Sequence, residues 1–146
     1  MTSDGAREGW RFWSVRDGQL VSPFTGDVLP LDGVAVATCI HETPNPTCEC
    51  GIAYYQDKAD VLKASKTLCD PGIAITLGEV TGPTYADWRA PRYQVQDSRH
   101  GFSVSRWVTL PTGLRAHAYQ VTAIYTNNTI TTDYGVPVHP RADIHV

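Results

Sequence analysis

An α+β fold, built on a small, strongly bent antiparallel sheet or partial β-barrel with one main helix, is what this sequence predicts. Three observations carry that expectation. Residues 10–15 alternate bulky apolar and polar side chains and lead into Asp17-Gly18 and a second short apolar run. Residues 57–68 form the clearest helical stretch. Beyond them the chain becomes rich in strand formers, cut at intervals by proline and glycine.

Taken in order, residues 10–15 and 19–22 read as a β-hairpin, because Asp-Gly favours the tight turn whose twist matches paired strands. Residues 34–39 are a further short apolar run. In the helix, Asp57 stands at the cap, Asp60 in the first turn and Lys63 and Lys66 toward the far end, which suits the helix dipole. Asp70-Pro71-Gly72 ends it. Residues 72–80, 92–95 and 102–110 are strand-like, separated by Gly82-Pro83, Ala90-Pro91 and Arg99-His100-Gly101. Residues 116–125 fit helix or strand, and the β-branched run that continues to Thr132 favours strand. Residues 134–138 read as a turn and a last extended piece.

The bulk properties bound the answer further. At 146 residues, 42% hydrophobic and 18% charged, the chain predicts one globular domain, residues 1–146, with 1–8 frayed and 139–146 a mobile tail. A net charge of −3 gives no general reason for a nucleic-acid or anionic-membrane partner. The first residues lack an apolar secretory core and no run reaches membrane-spanning length, so a cytoplasmic chain with no membrane partner is expected. In that compartment four cysteines favour metal over disulfides.

The cysteines are concentrated. Cys39, His41, Cys48 and Cys50 follow the pattern C-x-H-x6-C-x-C, with Pro44 and Pro46 stiffening the loop and Gly51 directly after it. Four Cys and His donors close together suit tetrahedral Zn²⁺ in a closed, structural site. These four are the candidate ligands, with Cys69 the alternative to His41. Unligated cysteines buried as small hydrophobes are the bland alternative. Glu42 and Glu49 lie in the same loop, but neither H-E-x-x-H nor the deaminase pattern of Cys and His is present.

Several segments resemble a group of small actinobacterial and actinobacteriophage proteins of unassigned activity. They are Gly9-Trp10-Arg11-Phe12-Trp13, Leu20-Val21-Ser22, Cys39 with His41 to Pro44, and Cys48-Glu49-Cys50-Gly51-Ile52. Gly78-Glu79-Val80, Gly101-Phe102 and residues 134–138 complete the likeness. Cys-x-Cys-Gly-Ile is its most specific segment. Two features depart from the group: Cys39 and His41 are unusually close, and residues 81–99 are long and rich in proline and aromatics. What the resemblance implies is a small protein with no reaction attached.

Residues 81–115 hold a second constellation. Arg89, Arg92, Arg99, Arg106 and Arg115 stand against Asp87 and Asp97, five positive charges to two negative, or +3. Tyr85, Trp88, Tyr93, Phe102 and Trp107 are interleaved with them. Trp and Arg dominate the energetics of protein interfaces, and the same pairing serves single-stranded nucleic acid. The bland alternative puts the aromatics in the core and the arginines in solvent. No nucleophile elbow, phosphate loop or dinucleotide fingerprint is present, and no enzyme is expected. The expectation is a non-enzymatic, zinc-stabilised interaction protein of phage type. It would bind a cellular protein through Tyr85, Trp88, Arg89, Arg92, Arg106 and Trp107 and take no small-molecule substrate. A nucleic-acid-binding module using residues 81–115 is the alternative.

Overall fold

The computed structural model describes residues 7–23, 26–37, 51–68, 72–86, 92–97 and 101–145. In chain order they form β1 (Arg7–Arg16), β2 (Gln19–Val21), β3 (Val34–Val36), β4 (Ile52–Tyr54), α1 (Lys58–Leu68) and β5 (Ile73–Ala86). β6 (Arg92–Asp97), β7 (Val104–Thr109), β8 (Leu114–Tyr125), β9 (Val138–His139) and a 3₁₀ turn (Arg141–His145) follow. The main sheet runs β2-β1-β5-β8-β3, with β4 and β9 also paired to β8. β6 and β7 make a separate two-stranded ribbon. Among the described residues the fold is α+β with one α-helix and an open sheet; the loop read as zinc-stapled lies outside them.

The β1–β2 turn forms as the sequence dictates. Asp17 and Gly18 have φ of 53° and 75°, the left-handed pair that a two-residue hairpin requires. Arg16 opposite Gln19 closes it. β1 pairs on its other side with β5, from Arg7 opposite Val80 to Ser14 opposite Ile73. β1 alternation then splits the core in two. Trp13 points to a cluster with Leu20, Tyr54, Tyr119 and Ile124. Phe12 points the other way, to Tyr55, Val61, Ile75, Val108 and Leu110. The sheet is therefore packed on both of its faces.

Two element boundaries differ from the sequence expectation. β5 does not stop at Val80 but continues to Ala86, straight through Gly82-Pro83. The register slips between Thr81 and Thr84, where Gly82 takes φ 81°, so the residues expected to break the strand instead bulge it. Residues 116–125 are strand, part of β8, the centre of the sheet. β8 ends at Tyr125, short of the β-branched run to Thr132, whose residues lie in a loop.

β3 and β4 lie along one edge of β8. β3 runs from Val34 opposite Gln120 to Val36 opposite Ala118, and β4 from Ile52 opposite Ala116 to Tyr54 opposite Leu114. Between them the Ala37 amide donates to the His117 carbonyl at 2.8 Å. β3 and β4 thus occupy successive rungs along the same edge of β8. Beyond β4, Tyr55 and Trp10 exchange both backbone hydrogen bonds at 2.7 Å, tying β4 to β1.

α1 starts one residue after Asp57, whose carbonyl accepts from the Asp60 amide at 3.1 Å. Its buried residues, Val61, Ala64, Ser65 and Leu68, recur at helical spacing. Val61 and Leu68 each contribute roughly 1.5–3 kcal/mol of apolar burial against Phe12 and its neighbours. The C-terminal stretch, where a tail was expected, carries β9 in parallel with Ile124 and Tyr125, and the 3₁₀ turn buries Ile144. Lys58 Nζ donates to the Ile144 carbonyl at 2.9 Å, and Arg141 Nη2 to Ser65 Oγ at 3.0 Å, so this stretch is pinned to the helix.

Candidate functional site

All four cysteines and His41 fall outside the described residues, so the expected ligand set Cys39, His41, Cys48 and Cys50, with Cys69 as alternative, has no described geometry. Among the described residues no group of three or more His, Cys, Asp or Glu is placed to hold a metal. What is described is the frame around the loop. Ala37, bonded to the His117 carbonyl, and Ile52, opposite Ala116, stand on neighbouring rungs of one ladder on β8.

The ribbon β6–β7 is inserted between β5 and β8, the two central strands. Paired residues of a ladder share a face. Tyr93 opposite Val108 and Val95 opposite Arg106 thus face the core, where Tyr93, Val95 and Val108 pack with Phe12, Tyr55 and α1. Arg106 belongs to that face of the ladder but stays exposed. Gln94 opposite Trp107 and Arg92 opposite Thr109 face outward. On that outer face Trp107 is 59% exposed, and the Arg92 guanidinium lies 5.2 Å from its ring centroid. Phe102 and Val104 are exposed nearby in the chain.

Of the expected binding residues, the structure brings together Arg92 and Trp107. Arg106 occupies the opposite face of the ladder. The Tyr85 backbone pairs with Arg115 in β5 and β8, while Trp88 and Arg89 lie outside the described residues. The aromatics therefore divide: Tyr93 is in the core, and Trp107 is on the surface.

A third feature is a cleft of about 360 Å³ between β1, β3, β4 and the chain at residues 27–30. Arg11, only 6% exposed, stands in its wall beside Trp13. Arg11 Nη1 donates to the Ala53 carbonyl at 2.6 Å and Nη2 to Ser22 Oγ at 2.9 Å, and the guanidinium lies 4.4 Å from the Trp13 ring centroid. Burial pushes this guanidinium down to about 10, with Tyr119 and Tyr93 pulling it back up and Arg115 adding to the fall. It stays charged at neutral pH. Behind it Trp13 Nε1 donates to Thr76 Oγ1 at 2.9 Å, and Thr76 Oγ1 meets the Tyr119 hydroxyl at 2.9 Å. Burial raises the Tyr119 phenol above its ordinary value, with the Thr76 bond and the Arg11 charge opposing.

Sequence reading missed this cleft, treating residues 10–13 as strand and core alone. The available signal was a charged residue at an inward position: Arg11 and Trp13 share one face of β1, and Trp10 and Phe12 the other. No family model, curated protein or solved structure matches this chain, so its function is read from its own sequence and from the geometry of the ribbon and the cleft.

Proposed function

We propose that this chain is a non-enzymatic interaction protein that binds a protein partner through the outer face of the β6–β7 ribbon, with Zn²⁺ holding the Cys39–His41–Cys48–Cys50 loop. The observation that carries the reading is the Arg92–Trp107 pair. A tryptophan 59% exposed on a strand, with a guanidinium 5.2 Å from its ring centroid, keeps a large apolar surface in water on a ribbon that packs Tyr93, Val95 and Val108 on its other face. Exposing Trp107 forgoes a burial gain that Val108, one residue on, realises. Trp and Arg are the residue types that anchor protein interfaces when a partner covers them.

The zinc part rests on the donor pattern and on the ladder that holds both ends of the loop. The test of the binding part is affinity capture with the wild type and with Trp107→Ala, followed by reconstitution with each purified protein that the variant loses. Binding that survives high salt and disappears with Trp107→Ala supports a protein partner. Binding to nucleic acid that falls steeply with salt would replace it with the nucleic-acid reading. Identical binding by both chains would remove the ribbon face from the argument.

A further inference from the structure

We propose that the Phe12-bearing face of β1, β5 and β8 is a second docking surface, separate from the ribbon. It takes an arginine side chain carried by a protein partner, with the guanidinium between Glu8 and Glu79 and the stem along Leu77 and Trp10. Three rungs define the face. Phe12, Ile75 and Tyr125 stand opposite one another, then Trp10, Leu77 and Ala123, then Glu8, Glu79 and Gln120. Paired residues share a face, as do residues two apart on one strand, and β1 pairs with β5 without a slip from Arg7 to Ser14. The first rung is sealed, with Phe12 and Ile75 packed in the cluster that includes α1. Trp10 and Leu77 are half-buried, and Glu8, Glu79 and Gln120 are exposed. Within three rungs the face grades from core, through an apolar shelf, to a pair of carboxylates.

The carboxylate rung selects the occupant. Like charges directly opposite each other destabilise a ladder, because Cβ atoms there are only about 4.5–5.5 Å apart. Among the described residues neither Glu8 nor Glu79 meets a cation of its own chain. Arg7, on the other face of β1, donates through Nη2 to the Gly82 carbonyl at 2.8 Å and through Nη1 to Thr84 Oγ1 at 3.4 Å. Lys58 donates to the Ile144 carbonyl at 2.9 Å and lies 5.9 Å from the Trp10 ring centroid. The face therefore offers two acceptor groups side by side, with an apolar shelf and a ring on the next rung. A guanidinium matches all three: its fork of donors reaches both carboxylates, its plane stacks on indole, and its stem covers apolar surface. An ammonium brings the charge without the fork or the plane, and an anion is repelled. A free cation gains little from exposed carboxylates, whose water and salt screen it. A partner that also covers Leu77 and Trp10 removes that water, so the cation belongs to a protein segment rather than to a small ion.

The probe is an acetylated, amidated leucine-arginine-leucine peptide. Its lysine counterpart and its citrulline counterpart, which keeps the shape of arginine and loses the charge, are the comparisons. Each is titrated into the isotope-labelled full chain and followed by backbone amide shifts. Saturable shifts centred on Glu8, Trp10, Leu77, Glu79 and Gln120 are expected with the arginine peptide, weaker ones with lysine and none with citrulline. Glu79→Gln, at an exposed position where folding is not at risk, should weaken the arginine peptide by about tenfold, the worth of one charge-assisted hydrogen bond. The same substitution should raise the urea midpoint of the free protein, because it removes the opposed like charge. That rise separates a binding carboxylate from one that holds the sheet together. Trp107→Ala should leave the peptide affinity unchanged. Absence of saturable shifts, equal affinity for citrulline or lysine, an unchanged affinity in Glu79→Gln, a lowered midpoint in that variant, or shifts centred on the ribbon would each overturn the proposal.

Discussion

Ala37 and Ile52 stand on neighbouring rungs of one ladder, opposite His117 and Ala116, although residues 38–51 separate them in sequence. Bringing the ends of a loop together costs entropy. Here β8 already holds Ala37 and Ile52, the described residues that flank the cysteine-bearing segment in sequence, on neighbouring rungs.

One zinc per chain is accordingly expected in native mass spectrometry. Cys50→Ser should lose it and lower Tm by about 5–10 °C. The ladder contacts of β3 and β4 do not pass through the metal, so the far-UV circular dichroism of the variant should remain that of the folded chain. Comparing His41→Ala with Cys69→Ser identifies the fourth ligand, because only the true ligand's loss should weaken zinc retention. A wild-type protein that carries no metal and melts unchanged with chelator would end the zinc reading.

The ribbon allows a contrast within one short stretch. Trp107 is outward and 59% exposed, whereas Leu110, three residues on, is 2% exposed and packed with Phe12 and Tyr55. Trp107→Ala should change unfolding free energy by about 0.5 kcal/mol or less, as surface substitutions do. Leu110→Ala should cost about 2–5 kcal/mol through lost burial and the cavity left behind. Urea denaturation of the two variants decides it. A large cost at Trp107 would mean that its ring is a structural element, and the case for a binding face would fail.

How much of this was legible in the sequence depended on whether local chemistry or a distant partner set the outcome. The Asp17-Gly18 hairpin and the helix before Asp70-Pro71-Gly72 were readable because turn and cap chemistry is local. Gly82-Pro83 misled for the opposite reason. β5 is held there by β8, with Thr81 opposite Ala118 and Thr84 opposite Ala116, so long-range pairing converts a breaker into a bulge. The candidate site was half legible. Arg92 and Trp107 lie fifteen positions apart, and only the ladder that sets Gln94 opposite Trp107 brings them together. Arg11 was hidden because its neighbours Trp10, Phe12 and Trp13 make the whole segment read as core.

Two glycines of the resemblance acquire a physical role. Gly9 and Gly78 are opposite each other in the β1–β5 ladder. A Cβ on Gly78 would lie 2.5 Å from Tyr119 Cζ and 2.6 Å from the Gln120 carbonyl oxygen; one on Gly9 would lie 2.7 Å from Tyr54 Cδ2. The rings of Tyr54 and Tyr119 thus occupy the space that side chains would fill. Gly78→Ala meets backbone as well as ring, and overpacking of this kind costs about 1–3 kcal/mol or more. A lowered urea midpoint is expected, with partial recovery when Gly78→Ala is combined with Tyr119→Leu, which removes the ring. Wild-type stability in Gly78→Ala would show that the two central strands have slack there.

The Tyr119 phenol should also shape the alkaline limb of stability. The Gly9 and Thr76 carbonyls, at 3.1 and 3.2 Å, are both within reach as acceptors for its single hydroxyl proton, and burial raises its pKa above the ordinary value of 10.0. Above about pH 10 the unfolded chain loses this proton while the folded chain keeps it, so stability present below pH 10 falls as pH rises. Tyr54, raised by burial as well, acts in the same direction. Arg11 acts oppositely: burial brings its folded value down to about 10, below the ordinary guanidinium range, so above about pH 10 the unfolded chain holds more protons and stability rises with pH. Tyr119→Phe should therefore cost about 1–2 kcal/mol near pH 7 through the lost hydroxyl bonds, and should flatten the decline above pH 10. Denaturant midpoints taken from about pH 8 to about pH 11 test this. A variant with the same alkaline slope as the wild type would place the titration elsewhere and remove Tyr119 from the account.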